Sequence, residues 1–200
     1  QGAFGQKHLD AIAKIAGVEV VSLCGGSPDT TRSVAQARGI PHWTTDLAES
    51  LRQPGVEAAI IASPTQLHTK QGLQCIDAGK HVHIEIPIAD NLADAQRLAD
   101  AQKRTGLVVM AGHTRRFNPS HQWIRKKIAA GELKVLQMDV QTYFFRRTNM
   151  NALGKPRSWT DHLLWHHAAH TVDLFHYQTG AEFTVAHAIQ GPPHPQLAIA

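Results

Sequence analysis

The sequence predicts an α/β fold with a doubly wound parallel sheet, followed by part of a second α/β domain built on an open sheet. Three observations carry this. Between Lys7 and Gly112, short apolar runs rich in β-branched residues alternate with longer segments of helical spacing. The short runs are apolar over nearly their whole length, the pattern of parallel strands covered on both faces. After Gly112 the rhythm changes, which places a domain boundary near His113 and divides the chain into 1–112 and 113–200.

The first element expected is a helix from His8 to Ala16. Before it stands Gly2-Ala3-Phe4-Gly5, which matches the last four positions of a G-x-G-x-x-G turn. In that reading Gly2 lets the backbone approach a pyrophosphate at the helix N-terminus, and Gly5 lets helix and strand pack closely. The strand that should precede the turn is absent, and the chain stops in a proline-rich stretch, Pro192 to Leu197, before a second sheet is complete. Both ends therefore read as cut.

A strand from Val18 to Cys24 follows, then a turn, Cys24-Gly25-Gly26-Ser27-Pro28, and a helix from Thr30 to Arg38. An Asp or Glu at such a strand end would grip ribose hydroxyls; none is present here. Without that carboxylate a 2′-phosphate meets no repulsion, which leans the cofactor toward NADP, with Ser27 and Arg32 as phosphate contacts. The alternative is a plain glycine turn and either NADP or NAD.

The next strand, Glu57 to Ala62, leads into Ser63-Pro64-Thr65-Gln66-Leu67-His68 and a helix from Gln66 to Ala78. Ser63, Pro64, Thr65 and His68 thus fall at the carboxyl edge of the sheet, where ligands bind in such folds. Glu85 ends the strand His81 to Ile84 at the same edge. A helix from Leu92 to Arg104 and a strand from Leu107 to Met110 complete the first domain.

In the second domain a helix is expected near Pro119 to Ala130. The run Val135 to Phe144 partly alternates polar and apolar residues, the mark of a strand with one solvated face. A helix from Asp161 to Gln178 is the most informative segment. At 100° per residue, His162, His166, His170 and Asp173 fall within roughly an 80° arc, with Leu164, Ala168, Val172 and Phe175 opposite. Three readings of the imidazole row stay open: a solvated face, a metal site, or a catalytic surface. No metal centre is assigned, because no further ligand is identified. Arg115, Arg116, Arg146, Arg147 and Arg157 are suited to clamping carboxylates, which points to a small acidic substrate.

Composition narrows the partners. The 200 residues are 42% hydrophobic and 18% charged, enough for a sizeable core. Cys24 and Cys75 both lie in segments read as buried, which argues against a disulfide framework and for the cytoplasm. No run is long and apolar enough to span a bilayer, and no secretory leader is evident, so no membrane partner is expected. The net charge of +4 and pI near 9.3 favour anionic partners. Basic residues come in short groups without interleaved aromatics, so small anions are expected and nucleic acid is not.

Taken together, these residues resemble the Gfo/Idh/MocA oxidoreductases over essentially the whole chain. The resemblance rests on Gly2 to Gly5, Ser63-Pro64 with His68, Ala78 to Val82 leading to Glu85 and Pro87, Arg116-Phe117-Asn118-Pro119, and His170-Thr171-Val172-Asp173. It implies a Rossmann domain binding NADP or NAD, then a substrate domain that often forms a homodimer interface. Two departures matter: Ile86 stands where the family commonly has Lys, and His166 where it often has Asp. Neutral sugars and polyols, or a nucleotide-binding sensor without turnover, remain as alternatives. Gly112 to His121, Tyr143 to Arg147 and Arg157 to His167 resemble a branch that oxidises the cyclic hemiacetal of a small dicarboxylate with NADP. For such a reaction His170 is expected as the base, with His166 assisting and Asp173 orienting it, because an imidazole titrates near neutrality, while His113, Tyr143 and the arginines are expected to hold the substrate.

Overall fold

The computed structural model describes residues 1–143, 145–150, 154, 156, 162–194 and 196–199. The chain forms two compact units, Gln1–Gly112 and His113–Ala200.

In the first unit, helix α1 (Ala3–Ile12) starts directly after Gly2, five residues earlier than its apolar pattern predicts. Strand β1 (Ser22–Cys24), helix α2 (Pro28–Ala37) and strand β2 (His42–Thr44) make one parallel βαβ unit with Leu23 opposite Trp43. Its core is Leu9, Leu23, Ala35 and Ile40, flanked by Val20, Val34 and Trp43. The predicted strand at 18–24 is shorter than expected, since Val18 is left exposed ahead of the paired segment. Strand β2 and the short helix α3 (Leu47–Leu51) are additions to the sequence reading; Asp46 caps α3 by accepting the Ala48 N–H at 2.8 Å.

A second parallel sheet holds β3 (Ala58–Ile61), β4 (His81–Ile84) and β5 (Val109–Ala111) in that order. Helices α4 (His68–Asp77) and α5 (Leu92–Thr105) make its crossovers. Leu51, Ile61, Cys75, Ile76, Val82, Ile84, Leu98 and Ala101 form the core here. Local chemistry sets the ends of α5: Asn91 accepts the Asp94 N–H, Lys103 and Arg104 occupy the last turn, and Gly106 closes it at φ 70°. Coverage of both faces, expected for every strand, does not hold for β3, where Ala58 and Ile60 leave one face exposed. Cys24 and Cys75 are free thiols, and burial pushes the Cys75 thiol up to about 12.

In the second unit, α6 (Pro119–Ala129) packs against α7 (Ala169–Thr179). Pro119 fits the first turn of α6, and Asn118 accepts the Ser120 N–H. The run at 134–146 forms no strand among its described residues: alternation supplies a face, but a strand also needs a neighbour for its backbone bonds. The predicted helix at 161–178 is two pieces, a π-helical turn at Leu163–His167 followed by α7. The wider turn changes the phase between residues 162–166 and those of α7, and within α7 itself the apolar face expected there is not the buried one. Val172 and Leu164 are exposed, whereas Leu174 and Gln178 are buried. Among the described residues no helix is long and apolar enough to cross a membrane.

Candidate functional site

At the start of α1, Gly2 is the N-cap and no side chain caps the helix. The first N–H groups of a helix have no partner inside it, so this end favours an anion. Ala3 and Phe4 form the first turn, and a Cβ at Gly2 or Gly5 would meet nothing within 4 Å. Gly25 differs, because a Cβ there would run into the side chains of Thr31 and Gln1. Ser27 is the N-cap of α2 but caps through its carbonyl, which accepts from Thr31 N–H at 2.9 Å and Thr31 Oγ1 at 2.6 Å. Its hydroxyl makes no cap bond. Arg32 is exposed, its guanidinium stacked over Trp43 at 4.9 Å from the ring centre. These residues fit an anionic dinucleotide: uncovered glycine backbone, a hydroxyl and a guanidinium, with no carboxylate at the end of β1.

The 63–68 loop is organised by His68. This residue is 2% exposed, and its Nδ1 and Nε2 lie 2.8 Å from the carbonyl oxygens of Pro87 and Ser63. With both ring nitrogens engaged, His68 positions the loop, which corrects its reading as a cofactor contact. Ser63 donates its hydroxyl to Gln71 Oε1 at 2.6 Å; exposed Pro64 and half-buried Thr65 lead into a short 3₁₀ turn. Glu85 is buried beside two imidazoles, with His8 Nε2 at 2.7 Å and His83 Nε2 at 3.3 Å from the same oxygen. Burial pulls the Glu85 carboxyl upward, but the hydrogen bonds and charge of His83 and His8 outweigh it and hold the group below its ordinary value.

In the second unit, Arg116 forks onto Asp173, with Nε 2.9 Å from Oδ2 and Nη2 2.5 Å from Oδ1. Asp173 therefore accepts its hydrogen bonds from Arg116, and the orienting role expected toward His170 is directed there instead. Arg116, read as a substrate clamp, is spent on the same pair. The Arg116 guanidinium also lies over Tyr177, 5.2 Å from the ring centre. His113 stands edge-on to His170 with ring centres 6.5 Å apart, its Nδ1 3.6 Å from Asp173 Oδ2. Burial depresses the proton affinity of His113 and Arg116 adds to this, against the opposing pull of Asp173. Arg115 reaches Thr171 Oγ1 through Nη1 at 3.3 Å.

The other predicted residues have separate settings. His166 Nδ1 accepts the His162 N–H at 2.9 Å. Arg146 donates to the carbonyls of Leu197 and Ala198, at 2.8 and 2.9 Å. Arg147 stacks on Phe145, and exposed Tyr143 donates to Gln141. Arg157 lies outside the described residues. Sequence reasoning missed His8, His83, Trp43 and Thr171. His8 alone carried a usable signal, three residues after Gly5 on the first helix.

Comparison with known proteins gives this arrangement its family. Residues 1–113 match the Gfo/Idh/MocA model, described as an oxidoreductase family with an NAD-binding Rossmann fold, and residues 119–200 match the C-terminal part of bacterial oxidoreductases. The chain belongs to the Gfo/Idh/MocA family. One relative, 4-carboxy-2-hydroxymuconate-6-semialdehyde dehydrogenase of Sphingobium sp., is 59% identical over 199 residues, which cover 100% of this chain and 63% of the relative. An NAD⁺-dependent scyllo-inositol 2-dehydrogenase of Bacillus subtilis is 27% identical over 92% of this chain and 53% of its own length. The chain thus spans less than two thirds of these Gfo/Idh/MocA relatives. Among solved structures, a probable dehydrogenase from Thermotoga maritima shares the fold with a TM-score of 0.71 at 22% identity, covering 91% of this chain and 54% of that one.

Proposed function

We propose that this protein oxidises the cyclic hemiacetal of 4-carboxy-2-hydroxymuconate-6-semialdehyde to 2-pyrone-4,6-dicarboxylate, with NADP as acceptor. The observation that carries the reading is the 59% identity, over the whole chain, to a dehydrogenase named for that substrate. The local chemistry supports it. A hemiacetal is already an alcohol at the reacting carbon, so no cysteine nucleophile is required, and neither thiol of this chain is activated: burial raises both Cys24 and Cys75.

In this reading the 1–112 unit binds the dinucleotide through Gly2, Ala3, Phe4, Gly5, Ser63, Pro64, Thr65 and Glu85, with Ser27 and Arg32 reserved for the 2′-phosphate. Hydride acceptance is the chemistry that bound NADP supplies. The 113–200 unit binds the substrate and would also form the homodimer surface. His170 takes the hydroxyl proton as the C–H bond gives up its hydride, and the product is the ring lactone. His113, depressed by burial, stands as a neutral ring beside it. Arg115, Arg146 and Arg147 face the carboxylates, and the Arg116–Asp173 fork braces the segment that carries His170. A cytoplasmic setting belongs to the same reading.

The test is absorbance at the NADPH band with the protein at its full natural length, the ring-cleavage product of protocatechuate 4,5-oxygenation as substrate, and NADP⁺ or NAD⁺ as acceptor. A substrate-dependent rise, larger with NADP⁺, is expected. Binding of NADP⁺ without any rise would discard this substrate and turn attention to neutral polyols.

A further inference from the structure

We propose that His8, His83 and Glu85 form a binding site for a divalent transition-metal ion, Zn²⁺ being the ion the donors suit. The three residues come from different places: His8 from α1, His83 from inside β4, and Glu85 from the residue just past its end. On a strand, residues two apart share a face, so His83 and Glu85 project to the same side, where α1 brings His8 against them. One ligand atom from each lies within 4.8 Å of the other two.

The distances are close to those a metal would need. Around tetrahedral zinc, with bonds of about 2.0–2.1 Å, neighbouring ligand atoms sit about 3.3 Å apart. His83 Nε2 is 3.3 Å and His8 Nε2 2.7 Å from Glu85 Oε1. A shift on the order of 1 Å would therefore accommodate the ion. Two imidazoles and one carboxylate select zinc and its neighbours over magnesium or calcium, which prefer oxygen.

The surroundings hold these donors in place while leaving access. Phe4 packs edge-on to the His8 ring at 5.6 Å, and His8 edge-on to His83 at 5.4 Å. Gly112 lies against the carboxylate, where a Cβ would come within 3.0 Å of Oε2. Side-chain exposures of 22% for both histidines and 12% for Glu85 leave a route for an ion and for a water as fourth ligand. Without metal, the two imidazoles share one carboxylate oxygen by hydrogen bonds, so the donors are already gathered. Glu85 is also among the residues assigned to the dinucleotide, so the inference is read on the chain without dinucleotide, where metal binding does not depend on the proposed dehydrogenase reaction.

The experiment is calorimetric titration of the metal-free chain with ZnCl₂, alongside Co²⁺ substitution read by visible absorption. One equivalent of zinc and the strong visible bands of four-coordinate cobalt are expected. His83→Gln and His8→Gln should each weaken binding at least about tenfold, with circular dichroism unchanged. His121→Gln, outside the cluster, should leave binding as it was. Binding that survives both cluster variants would place the ion on other histidines and overturn the proposal, as would no binding at all. If neither variant folds, zinc-edge X-ray absorption on the unaltered chain decides: two imidazoles and oxygen support the site, whereas sulfur or a single imidazole overturns it.

Discussion

The guanidinium of Arg116 grips the carboxylate of Asp173 in a fork, Nε against Oδ2 and Nη2 against Oδ1. The pair joins the turn before α6 to the middle of α7, two segments separated by more than fifty residues of sequence. Asp173 is largely buried and Arg116 partly so. Solvent screening therefore limits the Coulomb gain, and the fixed geometry of the fork carries most of the value. Asp173→Ala leaves Arg116 without its acceptor and should destabilise the protein by about 1.5–3 kcal/mol, the range for hydrogen bonds to charged groups. Urea unfolding of Arg116→Ala, Asp173→Ala and the double variant checks this. Additive losses would show that the two residues do not couple.

His170→Ala tests the proposed chemistry. Loss of a general base lowers turnover by about 10²–10⁴-fold. NADP⁺ affinity should stay unchanged, because the dinucleotide is assigned to residues of the 1–112 unit. Steady-state rates paired with a fluorescence titration of NADP⁺ separate the two quantities. Unchanged turnover would remove His170 from the reaction.

Arg32 stacks on Trp43 at the surface, close in sequence to the Ser27 cap. If it meets a 2′-phosphate, Arg32→Ala removes a charge-assisted hydrogen bond worth about 1.5–3 kcal/mol, roughly a tenfold to hundredfold rise in the Kd for NADP⁺. NAD⁺ lacks that phosphate and should bind as before. Equal losses for both dinucleotides would mean that Arg32 supports the fold or the adenosine and does not select the cofactor.

Gly72 sits inside α4, where helix propensity alone would favour alanine. Packing reverses that preference. A Cβ at this position would lie 2.8 Å from Ile84 Cδ1 and 2.8 Å from Leu98 Cδ2, and both residues are fully buried. Gly72→Ala should therefore destabilise by about 1–3 kcal/mol, as overpacking does. The check is a lower urea midpoint at unchanged slope. A stabilised variant would show that this core has slack.

The parts of the fold legible in the sequence are those written in local periodicity: the helix positions of α4 and α5, and the apolar runs of β3, β4 and β5, whereas Gly2 to Gly5, read as a loop ahead of the first helix, is the N-cap and first turn of α1. Strand β2 escaped because three residues, His42-Trp43-Thr44, are too short to show a period, although Asp46 capping α3 was a readable sign. The strand expected from Val135 to Phe144, absent among its described residues, shows that alternation is not sufficient, since a ladder needs a partner. The histidine face was drawn with one angular step, which the π-helical turn at Leu163–His167 does not obey. Asp173 looked like a partner of His170 from spacing alone; its actual partner, Arg116, lies 57 residues away. The His8–Glu85 contact spans 77 residues, and no one-dimensional pattern encodes it.

Stability should depend on pH through His113. Burial and Arg116 hold its folded-state proton affinity below the ordinary value of 6.5, with Asp173 opposing. In the unfolded chain the ring takes up its proton near that value. Between the two the unfolded state binds more protons than the folded one, so stability rises with pH across that window and is fully present above 6.5. As pH falls from 6.5 toward the folded value the contribution is lost, with a slope of up to about 1.4 kcal/mol per pH unit for one proton. Thermal unfolding from mildly alkaline to mildly acidic buffer should show this decline, and His113→Gln, which carries no titrating ring, should flatten it. The informative quantity is the difference between the two curves, because thirteen other histidines titrate in both proteins. A difference that stays constant with pH would mean that His113 keeps its ordinary proton affinity, and the neutral ring assigned to it beside His170 would lose its basis.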